Sequence, residues 1–290
     1  MALVTMRDVS FTYLHAEEAA LEGVNLTLEP GLVYGVVGRN ASGKSTLCNV
    51  IRGIVPHFHD GELTGDVQVL GTSLADWDPA VLSQQIGYVF QNPFTQISGI
   101  RDTVFEEIAL GLENMGVDRD TMIERVISVV RELGIEGLIA KNPNELSGGQ
   151  RQKVAFASIL AMEADFLVID EPTSQLDPES SEAIFAIIRR LKERGTSIVL
   201  VEHKIDLIAE YADRVIVMER GTVAAEGPAA EVLASPLLEA AGVPQPEVTR
   251  VAARLAADGR ALERTPITRE DARQLIEARV QEVADVHRAR

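Results

Sequence analysis

Leu32-Val33-Tyr34-Gly35-Val36-Val37-Gly38-Arg39-Asn40-Ala41-Ser42-Gly43-Lys44-Ser45 decides how this chain folds. Residues 32–37 form an almost continuous apolar run, as expected of a strand buried on both faces of a parallel sheet. Gly38 to Ser45 then fits the spacing G-x-x-x-x-G-K-[ST], and residues 44–51 have the pattern of a helix. Strand, glycine loop and helix in this order is the context in which that spacing carries chemistry. Gly38 and Gly43 let backbone N–H groups, with Asn40, Ala41 and Ser42 between them, turn inward around β- and γ-phosphates. Lys44 supplies a point charge to the same phosphates, Ser45 offers a hydroxyl to Mg²⁺, and Thr46 reaches the α-phosphate. Alone, the loop says only that the chain handles a nucleotide.

The bulk of the chain sets bounds on the rest. Its 290 residues, 46% apolar and 24% charged, suffice for one large core and a small appendage. No stretch approaches the roughly 20 unbroken apolar residues that span a bilayer. The N-terminus lacks the charged-then-apolar layout of a signal peptide. If the protein serves transport, another chain is expected to supply the pore. The net charge of −17 argues against a nucleic-acid partner. A single cysteine, Cys48, cannot form an internal disulfide, which suits the cytoplasm, and it reads as inert packing on the first helix. From residue 229 onward nine arginines face ten acidic residues with no lysine. This near-neutral tail on an acidic body reads as a domain boundary, giving residues 1–227 and a helical extension over 228–290.

Periodicity predicts strands over residues 4–13, 24–29, 65–70, 86–90, 166–169, 197–201 and 214–218. In the first, Val9, Phe11 and Tyr13 share one face. Apolar spacings of three and four predict helices over 103–111, 119–134 and 147–162, a helical insert spanning about residues 92–162, and another helix over 181–194. Strands alternating with helices predict an α/β protein with a parallel sheet. Thr268-Arg269-Glu270-Asp271 reads as a helix start near the end of the chain.

Asp170 and Glu171 close the apolar strand Phe166-Leu167-Val168-Ile169. At the mouth of a parallel sheet, an aspartate there can hold the water shell of a magnesium ion while its neighbour faces an attacking water. About a hundred residues beyond the phosphate loop, Leu146-Ser147-Gly148-Gly149-Gln150 is a glycine-rich pentapeptide poised to open a helix. His57 and His59 have the look of a metal pair, but no carboxylate cluster or cysteine supports them, and they read as a plain loop.

These motifs together, in this order, resemble the ATP-binding subunit of ABC transporters over about residues 3–227. The resemblance implies an α/β P-loop NTPase: a RecA-like parallel sheet core, an antiparallel β subdomain, the helical insert, and the small C-terminal extension. It implies ATP and Mg²⁺, with Asp170 as the magnesium-binding aspartate and Glu171 as the general base. Gln91, after the strand Gly87-Tyr88-Val89-Phe90, stands in the position of the family's Q-loop, where its amide contacts Mg²⁺ or the attacking water. His203 matches the switch histidine that contacts the γ-phosphate, although the family commonly has Thr-His where this chain has Glu202-His203-Lys204. Ser147, Gly148, Gly149 and Gln150 belong to the family's signature, which caps the γ-phosphate held by the opposite subunit. Ser174-Gln175-Leu176-Asp177 matches the D-loop, usually Ser-Ala-Leu-Asp, and Asp177 lies across that interface in the family. One set of motifs therefore implies a dimer with two sandwiched ATP molecules. Tyr13 is placed to stack on adenine as the family's aromatic does; a strand residue of the core would look the same.

Phe90-Gln91-Asn92-Pro93-Phe94-Thr95-Gln96, Ile54-Val55-Pro56-His57 and Val201-Glu202-His203-Lys204 resemble the energy-coupling factor (ECF) ATPases, which drive vitamin and metal-ion importers. The tail is similar to their C-terminal extension, which helps hold the ATPase pair together. The expected partners are a second ABC ATPase subunit, identical or paralogous, a transmembrane coupling subunit and a membrane substrate-capture subunit. The expected location is the cytoplasmic face of the membrane, with no nucleic-acid partner. The alternatives are the ATPase of another ABC importer or exporter and a non-transport ABC ATPase. Phe94, a large apolar residue in a polar loop, reads as an anchor for the membrane partner or as core of the helical insert.

Overall fold

The computed structural model describes residues 1–288 and contains two sheets with helices between and around them. The first sheet is antiparallel, formed by β1 (Val4–Tyr13), β2 (Leu21–Leu28), β4 (Gly61–Val69) and β5 (Thr72–Ser73) in the order β2-β1-β4-β5. The second is built around β3 (Val33–Gly38), with β6 (Ile86–Val89), β7 (Phe166–Asp170), β8 (Ser197–Val201), β9 (Arg214–Glu219) and β10 (Thr222–Pro228). Its order is β10-β9-β3-β8-β7-β6, and all neighbours are parallel except the β9–β10 hairpin. Every residue of β3, β7 and β8 is buried, which explains their unbroken apolar runs.

The two faces of this second sheet carry two cores. Val37, Leu167, Ile169, Ile198 and Leu200 face one, shared with the helical residues that follow. Val36, Val168, Val199, Val201 and Ile216 face the other, shared with the antiparallel sheet. Helix α1 (Lys44–Ile51) fills the space between the sheets with Leu47, Cys48, Val50 and Ile51. Cys48 is fully enclosed there, and burial pushes its thiol well above its ordinary range.

After α2 (Pro79–Gln85), which packs near β6, come α3 (Pro93–Gln96), α4 (Val104–Asn114), α5 (Arg119–Leu133) and α6 (Gly148–Ala161). Helices α4, α5 and α6 pack on one another, and α6 also meets β6. Thr103 starts α4 with a reciprocal cap: its hydroxyl accepts from the Glu106 N–H, and the Glu106 carboxylate accepts from the Thr103 N–H. Helix α7 (Pro178–Glu193) begins three residues before the periodicity suggests, because Asp177 caps it and Pro178 occupies its first position. Helix α8 (Ile205–Tyr211) is too short for its period to stand out in the sequence. Residues after Pro228 form α9 (Ala229–Ala234), α10 (Leu237–Ala240), α11 (Glu247–Ala257) and α12 (Arg269–Arg288). Leu233, Leu238 and Val243 join the same core as β3 and β8, so packing continues across the compositional break. Thr268 accepts a hydrogen bond from the Asp271 N–H at the start of α12. Residues 289 and 290 of the expected extension lie outside the described residues.

The alternation in β1 does not run unbroken. Val4 and Met6 are buried, then Val9 and Phe11, so the buried phase changes between them. The cause is a bulge: Arg7 pairs with Asp66 and Ser10 with Thr64, leaving Asp8 and Val9 opposite Gly65 alone. Asp8 takes φ +50°, Gly65 takes φ +87°, and a Cβ on Gly65 would lie 2.3 Å from the Asp8 carbonyl oxygen. Gly65→Ala should therefore cost about 1–2 kcal/mol for the left-handed backbone and about 1–3 kcal/mol for the displaced β1 backbone. Thermal denaturation should show this as a clear drop in Tm; a Tm unchanged from the parent would contradict the account of the bulge.

Candidate functional site

The parallel strands end together, and the polar residues that follow them converge. A cleft of about 620 Å³ is lined by the loop residues Asn40 to Thr46 together with Gln91, Glu171 and His203. Those side chains come from the ends of β3, β6, β7 and β8, the edge where doubly wound sheets bind ligands.

The phosphate loop is shaped by contacts only glycine allows. A Cβ on Gly38 would lie 2.4 Å from the Met218 carbonyl oxygen and 2.5 Å from Ser42 Oγ. One on Gly43, which takes φ +100°, would lie 2.7 Å from the Ala20 carbonyl oxygen. Gly43 is the N-cap of α1 and brings no side-chain cap, so no side chain of its own occupies the first N–H groups of α1, whose residues line the cleft. Lys44 is 6% exposed, and its Nζ donates to the carbonyl oxygens of Gly38 and Arg39, each at 2.9 Å. Burial lowers its pKa, opposed by the nearby charges of Glu171 and Asp170. Ser42 Oγ is buried with no partner among the described residues.

Asp170 is the last residue of β7 and is buried. Its Oδ2 accepts from the Tyr88 hydroxyl at 3.1 Å, while its Oδ1 is buried with no partner among the described residues. Burial raises its pKa; the Tyr88 hydrogen bond and a weaker one from Ser45 pull the other way. An oxygen so placed beside a serine hydroxyl is a fitting ligand for a hard cation, because buried polar groups ordinarily find a partner.

Glu171 is the meeting point. Its Oε1 lies 2.7 Å from His203 Nε2, and its Oε2 accepts from Gln91 Nε2 at 2.5 Å. Its backbone takes φ +44°, an uncommon conformation for a residue with a side chain, while its N–H still donates to the Val201 carbonyl. A carboxylate held between an amide and an imidazole, beside a loop built for phosphates, can take a proton from water attacking a phosphoryl group.

Tyr13 stands at the other end of the loop. It is half-buried, its ring edge packs on Phe11 at 4.7 Å and on His59 at 6.2 Å, and its hydroxyl lies 3.1 Å from Thr46 Oγ1. His57 and His59 are exposed, and no cluster of metal-ligating side chains occurs among the described residues.

None of Ser147, Gly148, Gly149, Gln150 or Asp177 lines the cleft. Ser147 is the N-cap of α6, and it and Gln150 satisfy each other's backbone N–H groups. A Cβ on Gly149 would lie 2.3 Å from Ser180 Oγ, so the start of α6 rests on the start of α7. Asp177 caps α7, accepting from the Ser180 N–H at 2.9 Å and its hydroxyl at 2.7 Å, and these bonds lower its pKa. Sequence reasoning missed Tyr88 as a partner of Asp170, and Arg52, whose guanidinium sits 3.5 Å over the Tyr88 ring. Tyr88 lies three residues before Gln91, but the β6–β7 pairing that brings it to Asp170 is a property of the topology.

Residues 21–174 match the family model described as ABC transporter. A putative ABC transporter ATP-binding protein of Pyrococcus horikoshii is 37% identical over 273 residues, covering 93% of this chain and 95% of that protein. An energy-coupling factor transporter ATP-binding protein of Bacillus subtilis is 38% identical over 272 residues, covering 92% and 94%. Among solved structures, a CbiO protein of Clostridium perfringens, part of the ABC transporter complex CbiONQ, superposes with a TM-score of 0.73 at 30% identity over 89% of this chain and 97% of that one. A dimeric ATP-binding cassette in a post-hydrolysis state with ADP and phosphate superposes with a TM-score of 0.68 at 29% identity, covering 78% and 98%. A phosphate loop and an acidic strand end joined in one cleft, a glycine signature held away from it, and similarity along nearly the whole length place this chain in the ABC transporter family, as an ATPase subunit.

Proposed function

We propose that this chain powers an importer of the energy-coupling factor type, hydrolysing ATP in sites shared between two ATPase subunits at the cytoplasmic face of the membrane. The observation that carries the catalytic half is the Glu171 carboxylate, held by Gln91 and His203 beside the phosphate loop. The transport half is supported by likeness to an energy-coupling factor ATPase over 92% of this chain, which reaches into the C-terminal tail. In this reading residues 1–227 form the nucleotide-binding domain, with its helical insert at about 92–162, and residues 228–290 help hold the pair together.

The steps follow from the side chains. The N–H groups around Asn40, Ala41 and Ser42 cradle the β- and γ-phosphates, and Lys44 turns from the loop carbonyls to neutralise them. Thr46 holds the α-phosphate, and Tyr13 presents its ring to the adenine. Ser45, Asp170 and Gln91 would hold Mg²⁺, which when bound supplies positive charge to the phosphate oxygens. Glu171 accepts the proton of the attacking water, and His203 steadies that carboxylate and reaches the γ-phosphate. Ser147, Gly148, Gly149 and Gln150 complete the site of the partner subunit, and Asp177 fixes the segment between the two. The occupant of the membrane is a transmembrane coupling subunit, served by a separate substrate-capture subunit. Among the described residues no helix is long and apolar enough to cross a membrane.

Glu171→Gln should keep ATP affinity within about twofold and lower turnover by about 10²- to 10⁴-fold. Steady-state hydrolysis alongside nucleotide titration checks this, and near-parental turnover would overturn the role of Glu171.

Phe94 is 54% exposed on α3, with the Arg151 guanidinium 4.1 Å from its ring centroid, and Ile100 nearby in sequence is 75% exposed. The core reading of Phe94 does not hold, because the ring lies at the surface. In the proposed complex it anchors the transmembrane subunit. Phe94→Ala should change stability by less than about 1 kcal/mol, against about 3–5 kcal/mol for a core phenylalanine. It should also weaken recovery of the transmembrane subunit by about 10-fold or more. Undiminished recovery would contradict the docking role.

A further inference from the structure

The switch histidine is followed and preceded by charged residues that the catalytic account leaves unused. Glu202 is 3% exposed and sits one position beyond the end of β8. A carboxylate this deep needs donors, and it has three. Its Oε1 accepts from the backbone N–H groups of His203, at 2.8 Å, and Lys204, at 3.1 Å. Its Oε2 accepts from the hydroxyl of Thr173 at 2.8 Å. Thr173, itself 1% exposed, lies two residues beyond Glu171. Its hydroxyl in turn accepts from Lys204 Nζ at 3.3 Å, and the same ammonium reaches Ser181 Oγ on α7 at 3.5 Å.

These contacts begin where strand pairing stops. The β7–β8 ladder runs to Asp170 opposite Val201, and the Glu171 N–H to the Val201 carbonyl is its last rung. Beyond it no backbone hydrogen bond joins the segment from Pro172 to the segment from Glu202 among the described residues. Yet Glu171 and His203 must still meet at 2.7 Å. The Glu202 carboxylate spans that gap, holding the His203 backbone on one oxygen and the Glu171 side of the cleft, through Thr173, on the other. Through Lys204 the bracket extends to α7, the helix that Asp177 opens.

We propose that Glu202 is a positioning residue for hydrolysis: its buried carboxylate braces the His203 and Glu171 segments against each other and so sets the contact between the base and the switch histidine. Glu202 does not line the cleft, and it acts by fixing two groups that do. Misplacing a catalytic group by about 1 Å can cost on the order of 10²-fold in rate. Removing the brace therefore lowers turnover without removing any phosphate contact. The inference rests on the assignment of Glu171 and His203 to the catalytic site.

The test uses Glu202→Gln and Thr173→Val in the full chain, with kcat, ATP affinity and Tm measured for each beside Glu171→Gln. Glu202→Gln keeps the shape but replaces the carboxylate oxygen that accepts the Thr173 proton with a donor. Thr173→Val removes that hydroxyl and leaves the carboxylate in place. Both should lower kcat, Glu202→Gln by about 10-fold or more, with ATP affinity within about twofold of the parent. Should Glu202→Gln fail to fold, Thr173→Val decides by the same split. Unchanged kcat in the folded variants, or an equal loss in kcat and affinity, would overturn the proposal. If Glu171→Gln is inactive while Glu202→Gln and Thr173→Val turn over normally, the positioning role alone fails; if Glu171→Gln turns over normally, the catalytic assignment beneath it fails.

Discussion

A strand buried on both faces leaves little room for charged side chains along its length, so polar chemistry gathers where the strands end. This constraint organises the molecule. Strands β3, β7 and β8 are buried throughout, and they stop in near register. The phosphate loop, the Asp170–Glu171 pair and His203 therefore emerge at one edge, and β6 adds Gln91 from the flank. The cleft is a consequence of parallel pairing, because antiparallel neighbours would send alternate strand ends to opposite sides.

The charges at that edge are arranged to receive something charged. Burial lowers the pKa of Lys44 and raises that of Asp170, so each is held against the cost of its own ionised form. Two buried oxygens, Ser42 Oγ and Asp170 Oδ1, face this region without protein partners among the described residues. A phosphate group and its cation supply what these side chains lack, whereas a purely apolar ligand would leave them unsatisfied. The opposite holds for Ser147 and Gln150, which lie outside their own cleft and satisfy each other's backbone N–H groups.

Much of this was legible in the sequence because the informative features are local. The spacing from Gly38 to Ser45, the apolar run into Asp170, and the glycines after Ser147 each specify a short piece of backbone. What escaped reading depends on residues far apart in the chain. The bulge at Asp8 follows from its pairing opposite Gly65, which alternation within β1 alone does not report. Tyr88 reaches Asp170 across 82 positions, and Glu202 reaches Thr173 across 29, both through the strand order. Leu233, Leu238 and Val243 pack into the core of the sheet, which the composition of the tail does not report, since apolar burial is indifferent to the charge of the surface around it.

In the proposed assembly no subunit holds a complete site: the phosphate loop of one chain is finished by Ser147 of another. Mixing Lys44→Ala chains with Ser147→Arg chains tests this most directly, by ATP hydrolysis of each variant alone and of the mixture. Where two copies of this chain form the pair, each variant alone is predicted to be nearly inactive and the mixture to regain activity, because a mixed pair carries one intact loop opposite one intact signature. A mixture as inactive as its components, or full-rate hydrolysis by a strictly monomeric species, would contradict the account.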